Sequence, residues 1–322
     1  MPLSEFELIR RFFSAAAARR PDVVLGIGDD AALVQVPEGM ELAITVDTLV
    51  EGVHFLKETD PESLGHKAMA VNLSDLAALG AEPAWATLAL TLPTADPHWL
   101  DQFSRGLLGL AQRFGVQLVG GDTTRGPLAI TIQALGLVPR DQALRRAGAR
   151  PGDLVYVTGT LGDAGLALLA LQEELRLPQR DKAYALDQLN RPEPRIEEAI
   201  ALRGLANAAI DISDGLAADL GHILEASGVG ATLQVERLPL SPVVRSVLDA
   251  VGGWALPLTA GDDYELCFTV PAARQAEVEH RFAGLKTGCT WIGMIERTRG
   301  LRCLLDDGTD IAPARGGYQH FS

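Results

Sequence analysis

Short apolar runs of strand length alternate with longer stretches of helical period along all 322 residues, and this alternation confines the chain to the α/β class. Strands are expected from Leu42 to Val46, Ala84 to Leu92, Gln117 to Val119, Leu128 to Val138 and Leu154 to Thr158. Helices are expected near 61–79 and 97–114, then near 163–175, 194–206, 214–227, 241–250 and 271–284. Asp60 as N-cap, Pro61 at the first helical position and Gly80 as stop delimit the first of these. At about 100–200 residues per domain, the length sets two domains. The basic, breaker-ended stretch from Pro139 to Asp153, with Arg140, Arg145, Arg146, Arg150 and Pro151-Gly152, is the expected junction.

Apolar residues make up 47% of the chain, enough for buried cores, and no stretch approaches the roughly 18 apolar residues of a membrane span. The 28 basic and 42 acidic residues leave a net charge of −14, which argues against nucleic acid and anionic membranes as partners. Cys267, Cys289 and Cys303 form no paired spacing, so neither a disulfide framework nor a zinc knuckle is expected, and the compartment reads as reducing. Glu5 and Glu7 precede the run from Phe12 to Ala18, which argues against a targeting peptide. Ser4 and Glu7 form a capping box for a first helix with Phe6, Ile9 and Phe13 on one side. A cytoplasmic protein is expected.

The chemistry is signalled by where the aspartates fall. Apolar strand-like runs lead into aspartate at Asp29-Asp30, at Asp47, at Gly120-Gly121-Asp122 and at Asp211-Ile212-Ser213-Asp214-Gly215. A further acid, Asp75, lies in a helix that is apolar on almost every other side, where an unpaired charge is too costly. A single aspartate after a strand is most often a turn former or a helix cap. The set is harder to dismiss, because turns accept Asn or Ser equally well. Oxygen-only ligands without clustered His or Cys fit Mg²⁺ or Mn²⁺ better than zinc.

Gly26-Ile27-Gly28-Asp29-Asp30-Ala31 fits a dinucleotide fingerprint, but its two aspartates would repel a directly bound pyrophosphate. No Walker motif occurs, so nucleotide phosphates would be held through metal ions, backbone N–H groups around Gly120-Gly121 and arginines such as Arg146. Arg146 can equally be a solvated loop charge. His54, close behind the Asp47 strand, can be structural. Asp262-Asp263-Tyr264-Glu265 can be a strand-entry turn or a specificity loop, and Trp291 and the cysteines read as core.

Thr45-Val46-Asp47-Thr48-Leu49-Val50-Glu51-Gly52-Val53-His54-Phe55, Asn72-Leu73-Ser74-Asp75-Leu76, Gly121-Asp122-Thr123-Thr124-Arg125-Gly126 and Gly261-Asp262-Asp263-Tyr264-Glu265-Leu266 resemble thiamine-monophosphate kinase. So do Gly26 to Asp30, Arg145 to Gly148, Asp211 to Leu216 and Gly316-Gly317-Tyr318, and the resemblance covers essentially the whole chain. It implies the two-domain α/β fold of the aminoimidazole-ribonucleotide synthetase superfamily, each domain a sheet packed with helices. Residues 1–138 would be the ATP- and metal-binding, dimerising domain, and 150–322 the domain completing the nucleotide and substrate site. The implied reaction converts ATP and thiamine monophosphate to ADP and thiamine diphosphate, in a homodimer.

Matched residue by residue, the resemblance implies Asp30, Thr45, the Val46 carbonyl, Asp47, Asp75, Asp122, Asp211 and Asp214 as Mg²⁺ ligands. Gly121, Asp122, Arg146 and Ser213 match the nucleotide contacts, and His54, Asp262 and Tyr318 the substrate-facing positions. Asp47, Asp75 and Asp122 would form the central cage for catalysis, with Arg146 on the nucleotide phosphates. The family commonly has glutamate at Asp262. A sister enzyme using a carboxy-terminal or early cysteine is disfavoured, since the chain ends in Ser322 and its first cysteine is Cys267. A purine-pathway synthetase, a non-catalytic nucleotide sensor and a metal-dependent phosphohydrolase are the alternatives.

Overall fold

The structure, a computed structural model, describes residues 5–14 and 19–311. The chain divides into two compact units. The first runs through Leu76 and resumes over Ala81–Asp141; the second holds Ala77–Gly80 and the chain from Gln142 onward.

The first unit opens with α1 (Glu5–Leu8), which passes directly into a π-helical stretch, Ile9–Ser14. The single regular helix expected here is therefore corrected. Leu8, Phe12 and Phe13 are all buried, and the wider π winding lets two consecutive phenylalanines turn inward. Ser4 of the capping box lies outside the described residues. A short antiparallel ribbon of β1 (Val23–Leu25) and β2 (Leu33–Val34) carries the Gly26–Asp30 loop at its tip.

Next come β3 (Met40–Val50), α2 (Pro61–Ala78), β4 (Glu82–Leu92), α3 (Pro97–Arg113), β5 (Gln117–Arg125) and β6 (Ala129–Pro139). The sheet order is β3-β6-β4-β5, antiparallel except for the parallel β4–β5 pair. β3 and β5 run beyond their expected ends, so Asp47 and Asp122 lie inside strands and not after them. The ladder explains this: Asp47 stands opposite Ile132 and Asp122 opposite Ala89. Beyond the acids, hydroxyl pairs Thr48–Thr131 (2.9 Å) and Thr91–Thr124 (3.1 Å) continue the pairing.

Along β3 the side chains alternate. Ala43 and Leu49 are buried, while Leu42, Ile44 and Val46 on the other face are 38%, 55% and 58% exposed. Local signals start both helices. The Asp60 carboxylate accepts from Ser63 N–H at 2.8 Å ahead of α2, and Asp96 accepts from His98 N–H at 2.9 Å ahead of α3.

α2 and α3 touch at glycines. A Cβ on Gly65 would lie 2.1 Å from the Phe103 carbonyl oxygen, and one on Gly106 would lie 1.8 Å from that of Glu62. Both helices would have to part to admit a methyl group. Gly106→Ala is therefore expected to cost about 3 kcal/mol in urea unfolding. Gly109→Ala on the same helix meets nothing within 4 Å and should stabilise by up to about 1 kcal/mol. Equal midpoints for the two variants would show that the crossing can open freely.

The second unit runs β7 (Asp153–Thr158), α4 (Asp163–Leu171), α5 (Gln179–Asn190), α6 (Ile196–Leu202), β8 (Ala208–Asp211), α7 (Leu216–Ser227) and β9 (Gly230–Gln234). It continues with α8 (Pro242–Val247), α9 (Ala255–Thr259), β10 (Leu266–Pro271), α10 (Gln275–Phe282), β11 (Cys289–Glu296) and β12 (Gly300–Leu304). The sheet order is β12-β9-β11-β7-β10-β8, antiparallel except between β12 and β9. Val155, Val157, Ile210, Leu220, Leu233, Cys267 and Ile292 form part of its core.

α5 and α9 were not expected. α5 buries only Ala185 and Leu189, one turn apart, too thin a stripe to show as periodicity. The helix expected over 163–175 stops at Leu171, and that over 241–250 becomes a 3₁₀ turn at Leu248–Val251. Trp291 is half-buried and not core, with the Arg237 guanidinium 4.3 Å from its ring centre. Cys267 and Cys303 are buried, but Cys289 is only half-buried. Among the described residues no helix is long and apolar enough to cross a membrane.

Candidate active site

In the first unit, three of the expected site residues meet. The inward face of β3 carries Thr45 and Asp47 towards α2, and the Thr45 hydroxyl donates to Asp75 Oδ2. One turn before Asp75, Asn72 is 1% exposed. Its Oδ1 accepts the Asp47 backbone N–H at 3.1 Å, and its Nδ2 donates to the Ala68 carbonyl at 3.1 Å. β3 is an edge strand, so this amide clamps its free side at the acid. Burial, and then the Asp75 carboxylate, push the Asp47 carboxyl up to about 6. Two carboxylates brought this close repel one another unless a proton or a cation lies between them. Val46 points to the opposite, exposed face.

The other expected ligands of this unit do not join that pair directly. Asp30 is exposed in the ribbon loop, its N–H bonded to Asp29 Oδ1 at 2.8 Å. Asp122 is exposed on β5 and accepts from Thr123 N–H at 2.9 Å. Among the described residues, no three His, Cys, Asp or Glu side chains converge closely enough to hold a metal ion by themselves. Gly121 has a structural reason for its identity. Its φ is +149°, and a Cβ there would lie 1.9 Å from the Leu88 carbonyl oxygen. His54 sits in the turn after β3, where its Nδ1 accepts the Val50 N–H at 3.0 Å. That bond places its ring proton on Nε2.

In the second unit two loops lie side by side. One follows Asp211, the last residue of β8, and holds Ser213 and Asp214; the other precedes β10 and holds Gly261 to Glu265. Asp262 N–H donates to the Ser213 carbonyl and Tyr264 N–H to the Ile212 carbonyl, both at 2.8 Å. Gly261 permits the approach, since a Cβ there would lie 2.3 Å from Ser213 O. Asp211 is buried at the end of β8. Asp219, on the first turn of α7, accepts from the N–H groups of Ser213 and Asp214, each at 3.0 Å. Burial pushes its carboxyl up to about 7, against the pull of the Asp214 N–H.

Arg146 is exposed in the loop before β7, and its carbonyl accepts from the Ser227 hydroxyl at 3.4 Å. Tyr318 lies outside the described residues. Sequence reasoning missed Asn72, Asp219 and Tyr264. The available signal for the first two is a polar side chain on the apolar face of a helix: Asn72 and Asp75 on α2, and Asp219 among Leu216, Leu220, Ile223 and Leu224 on α7.

Around the Gly261–Glu265 turn lies a group of acids, of which Glu265 and Asp163 are buried and Asp263 is half-buried. Glu265 accepts from the Thr158 hydroxyl and from Arg195 Nε, both at 2.6 Å, and Arg195 pairs with its second oxygen. Asp263 Oδ2 accepts from Gly162 N–H at 2.8 Å. Asp163 accepts from the Ser241 and Thr160 hydroxyls at 2.5 and 2.6 Å. Burial raises the carboxyl of Asp163, and that of Asp263 well above the usual range.

Residues 28–138 match the family described as AIR synthase related protein, N-terminal domain, and residues 150–305 its C-terminal domain. The thiamine-monophosphate kinase of Escherichia coli (strain K12) is 47% identical over 323 residues, covering 100% of this chain and 99% of that one. The crystal structure of the thiamine-monophosphate kinase from Stenotrophomonas maltophilia K279a is 45% identical, with a TM-score of 0.87 over 94% of this chain and 97% of that one. AaThiL complexed with AMPPCP and TMP is 34% identical, with a TM-score of 0.77 over 92% of each chain. With its two acid-bearing units matched from end to end, the chain belongs to the thiamine-monophosphate kinases of the AIR-synthase-related family.

Proposed function

We propose that the chain transfers the γ-phosphoryl group of ATP to the phosphate of thiamine monophosphate, giving thiamine diphosphate and ADP. The observation that carries this is the full-length relative holding both AMPPCP, an ATP analogue, and TMP. A phosphate oxygen of the acceptor is already anionic, so it needs no strong general base. It attacks the γ-phosphorus in line as the bond to the β,γ-bridging oxygen breaks, and ADP leaves with that oxygen's electrons. Positioning and charge neutralisation are what remains for the protein to supply.

The donor set suits Mg²⁺. Asp47, Asp75 and the Thr45 hydroxyl converge, all are hard oxygen donors, and the Asp47 carboxyl is pushed up first by burial and then by the Asp75 charge. Their small number fits an ion that keeps waters and binds phosphate oxygens. We assign Asp30, Thr45, the Val46 carbonyl, Asp47, Asp75 and Asp122 on the first unit, and Asp211 and Asp214 on the second, as Mg²⁺ ligands. When bound, Mg²⁺ supplies the positive charge that lets phosphates approach these carboxylates. Gly121 and Asp122, Arg146 and Ser213 hold the nucleotide; Asp47, Asp75, Asp122 and Arg146 orient the reacting phosphates. His54, with its proton on Nε2, and Asp262 face the acceptor, together with Tyr318.

Residues 1–138 and 150–322 serve as the two functional domains. A second copy of the chain covers the open face of β3, where Leu42, Ile44 and Val46 are exposed in a row. Among the described residues the cysteines are free, which suits a cytoplasmic enzyme.

Phosphorus NMR of protein with ATP, Mg²⁺ and thiamine monophosphate tests this reaction. Thiamine diphosphate should appear one-for-one with ADP and stop on addition of chelator. ADP or free phosphate without thiamine diphosphate would overturn the acceptor assignment.

A further inference from the structure

The turn before β10 is built in a way that its sequence does not require. Asp262 has φ +67° and Tyr264 has φ +50°. Left-handed conformations are costly for residues other than glycine, tyrosine more than aspartate. Two such residues flank Asp263, and the contacts around them account for the geometry. The backbone N–H groups of Asp262 and Tyr264 are fastened to Ser213 and Ile212. The Asp263 side chain turns down to the Gly162 N–H. That arrangement brings the side chains of Asp262 and Tyr264 together above the turn, and the Tyr264 hydroxyl donates to Asp262 Oδ1 at 3.0 Å.

We propose that Tyr264 is a positioning residue for acceptor recognition: its hydroxyl fixes the Asp262 carboxylate in the orientation that meets the cationic ring portion of the acceptor. This role rests on the phosphoryl transfer to thiamine monophosphate proposed above and adds the residue that sets its acceptor contact. Aspartate carries one methylene less than glutamate. Its carboxylate stays close to the backbone, where the ring two residues on can reach it. A carboxylate held by one charge-assisted hydrogen bond surrenders less freedom on binding a cation than one that rotates freely. The two backbone bonds give the turn its place on the Ser213 loop whether or not the hydroxyl is present, so removing the hydroxyl should leave nucleotide binding intact.

Steady-state kinetics on Tyr264→Phe, Asp262→Asn and the double variant test this, with unfolding midpoints measured alongside. Tyr264→Phe should raise KM for thiamine monophosphate about tenfold and leave KM for ATP within about twofold. Added to Asp262→Asn, it should change the acceptor KM by less than about twofold, because the group it positions is already gone. An equal rise in both backgrounds would overturn the proposal, and so would a parallel rise in the ATP KM or an unchanged acceptor KM. Should Tyr264→Phe fail to fold, Asp262→Ala carries the test, since an acceptor KM unchanged in that variant also overturns the proposal. Calorimetric titration of the wild-type protein with thiamine monophosphate separates the two levels. No wild-type binding would remove the proposed reaction together with the role of Tyr264. Intact wild-type binding with an indifferent Tyr264→Phe would remove that role alone.

Discussion

Asp75→Asn and Asp47→Asn are each expected to lower kcat about 100- to 1,000-fold, and neither variant should lose stability in metal-free buffer. The loss of turnover follows from removing one fixed charge where phosphates are held, an effect of about that size in other preorganised sites. The stability result comes from repulsion within the pair. The Asp47 carboxyl is pushed up to about 6 by burial and by the Asp75 charge. Because its folded pKa lies above the unfolded value, the native state keeps the proton more tightly. The stability held at low pH is therefore lost as pH rises through about 6. Asp75→Asn removes the charge responsible for part of that rise. With chelator present, its unfolding midpoint should match the wild type near pH 4 and exceed it near pH 8. Asn at position 75 still offers an oxygen to the Thr45 hydroxyl, so the contact between β3 and α2 survives. A kcat within tenfold of wild type for both variants would exclude the pair from the reacting centre. A lower midpoint at pH 8 would mean that the acids are held there by stabilising partners and not by function.

What the sequence could show of this pair was its composition and its surroundings. An aspartate in a helix otherwise buried all round has to be satisfied somewhere, and Asp75 stood out for that reason. Nothing in the spacing says that the Thr45 hydroxyl is what reaches it, since α2 and β3 meet only through tertiary packing. The strand limits differ from expectation for a related reason. Asp47 and Asp122 look like terminators, because aspartate is rare in strands. Asp122 is exposed and costs its strand little, while the Asp47 N–H is fastened to Asn72 Oδ1, and the ladder runs on through both. α5 escaped notice because a helix that buries two side chains carries almost no periodic signal. The left-handed backbone at Asp262 and Tyr264 is invisible to residue-type reasoning, which expects such conformations at glycine. By contrast, the α/β class and the Asp60 and Pro61 start of α2 depend on local chemistry, and they were readable without any tertiary knowledge.

Arg195→Met is expected to lower unfolding free energy by about 3–5 kcal/mol near pH 8, the usual cost of breaking a buried ion pair from one side. The side chains of Arg195 and Glu265 are 14% and 6% exposed, so water replaces little of what is lost. Burial alone works against the guanidinium charge, and the Glu265 carboxylate more than restores it. The arginine also bonds the Thr287 hydroxyl at 2.9 Å, so the change removes a bridge as well as a charge. Glu265 feels Asp163 and Asp263 nearby, and both of those carboxyls are raised, first by their own burial and then, among other causes, by acidic neighbours. For these two the folded pKa exceeds the unfolded one. Their favourable contribution is complete below the unfolded value and disappears as pH climbs through the folded one. Removing the cation deepens the excess of negative charge, so the deficit of Arg195→Met should grow from pH 5 to pH 8. Urea unfolding at the two pH values checks this directly. A deficit that is equal at both would assign the loss to the Thr287 bridge and to packing, and would leave the charge of Arg195 without a role in holding the Gly261–Glu265 turn.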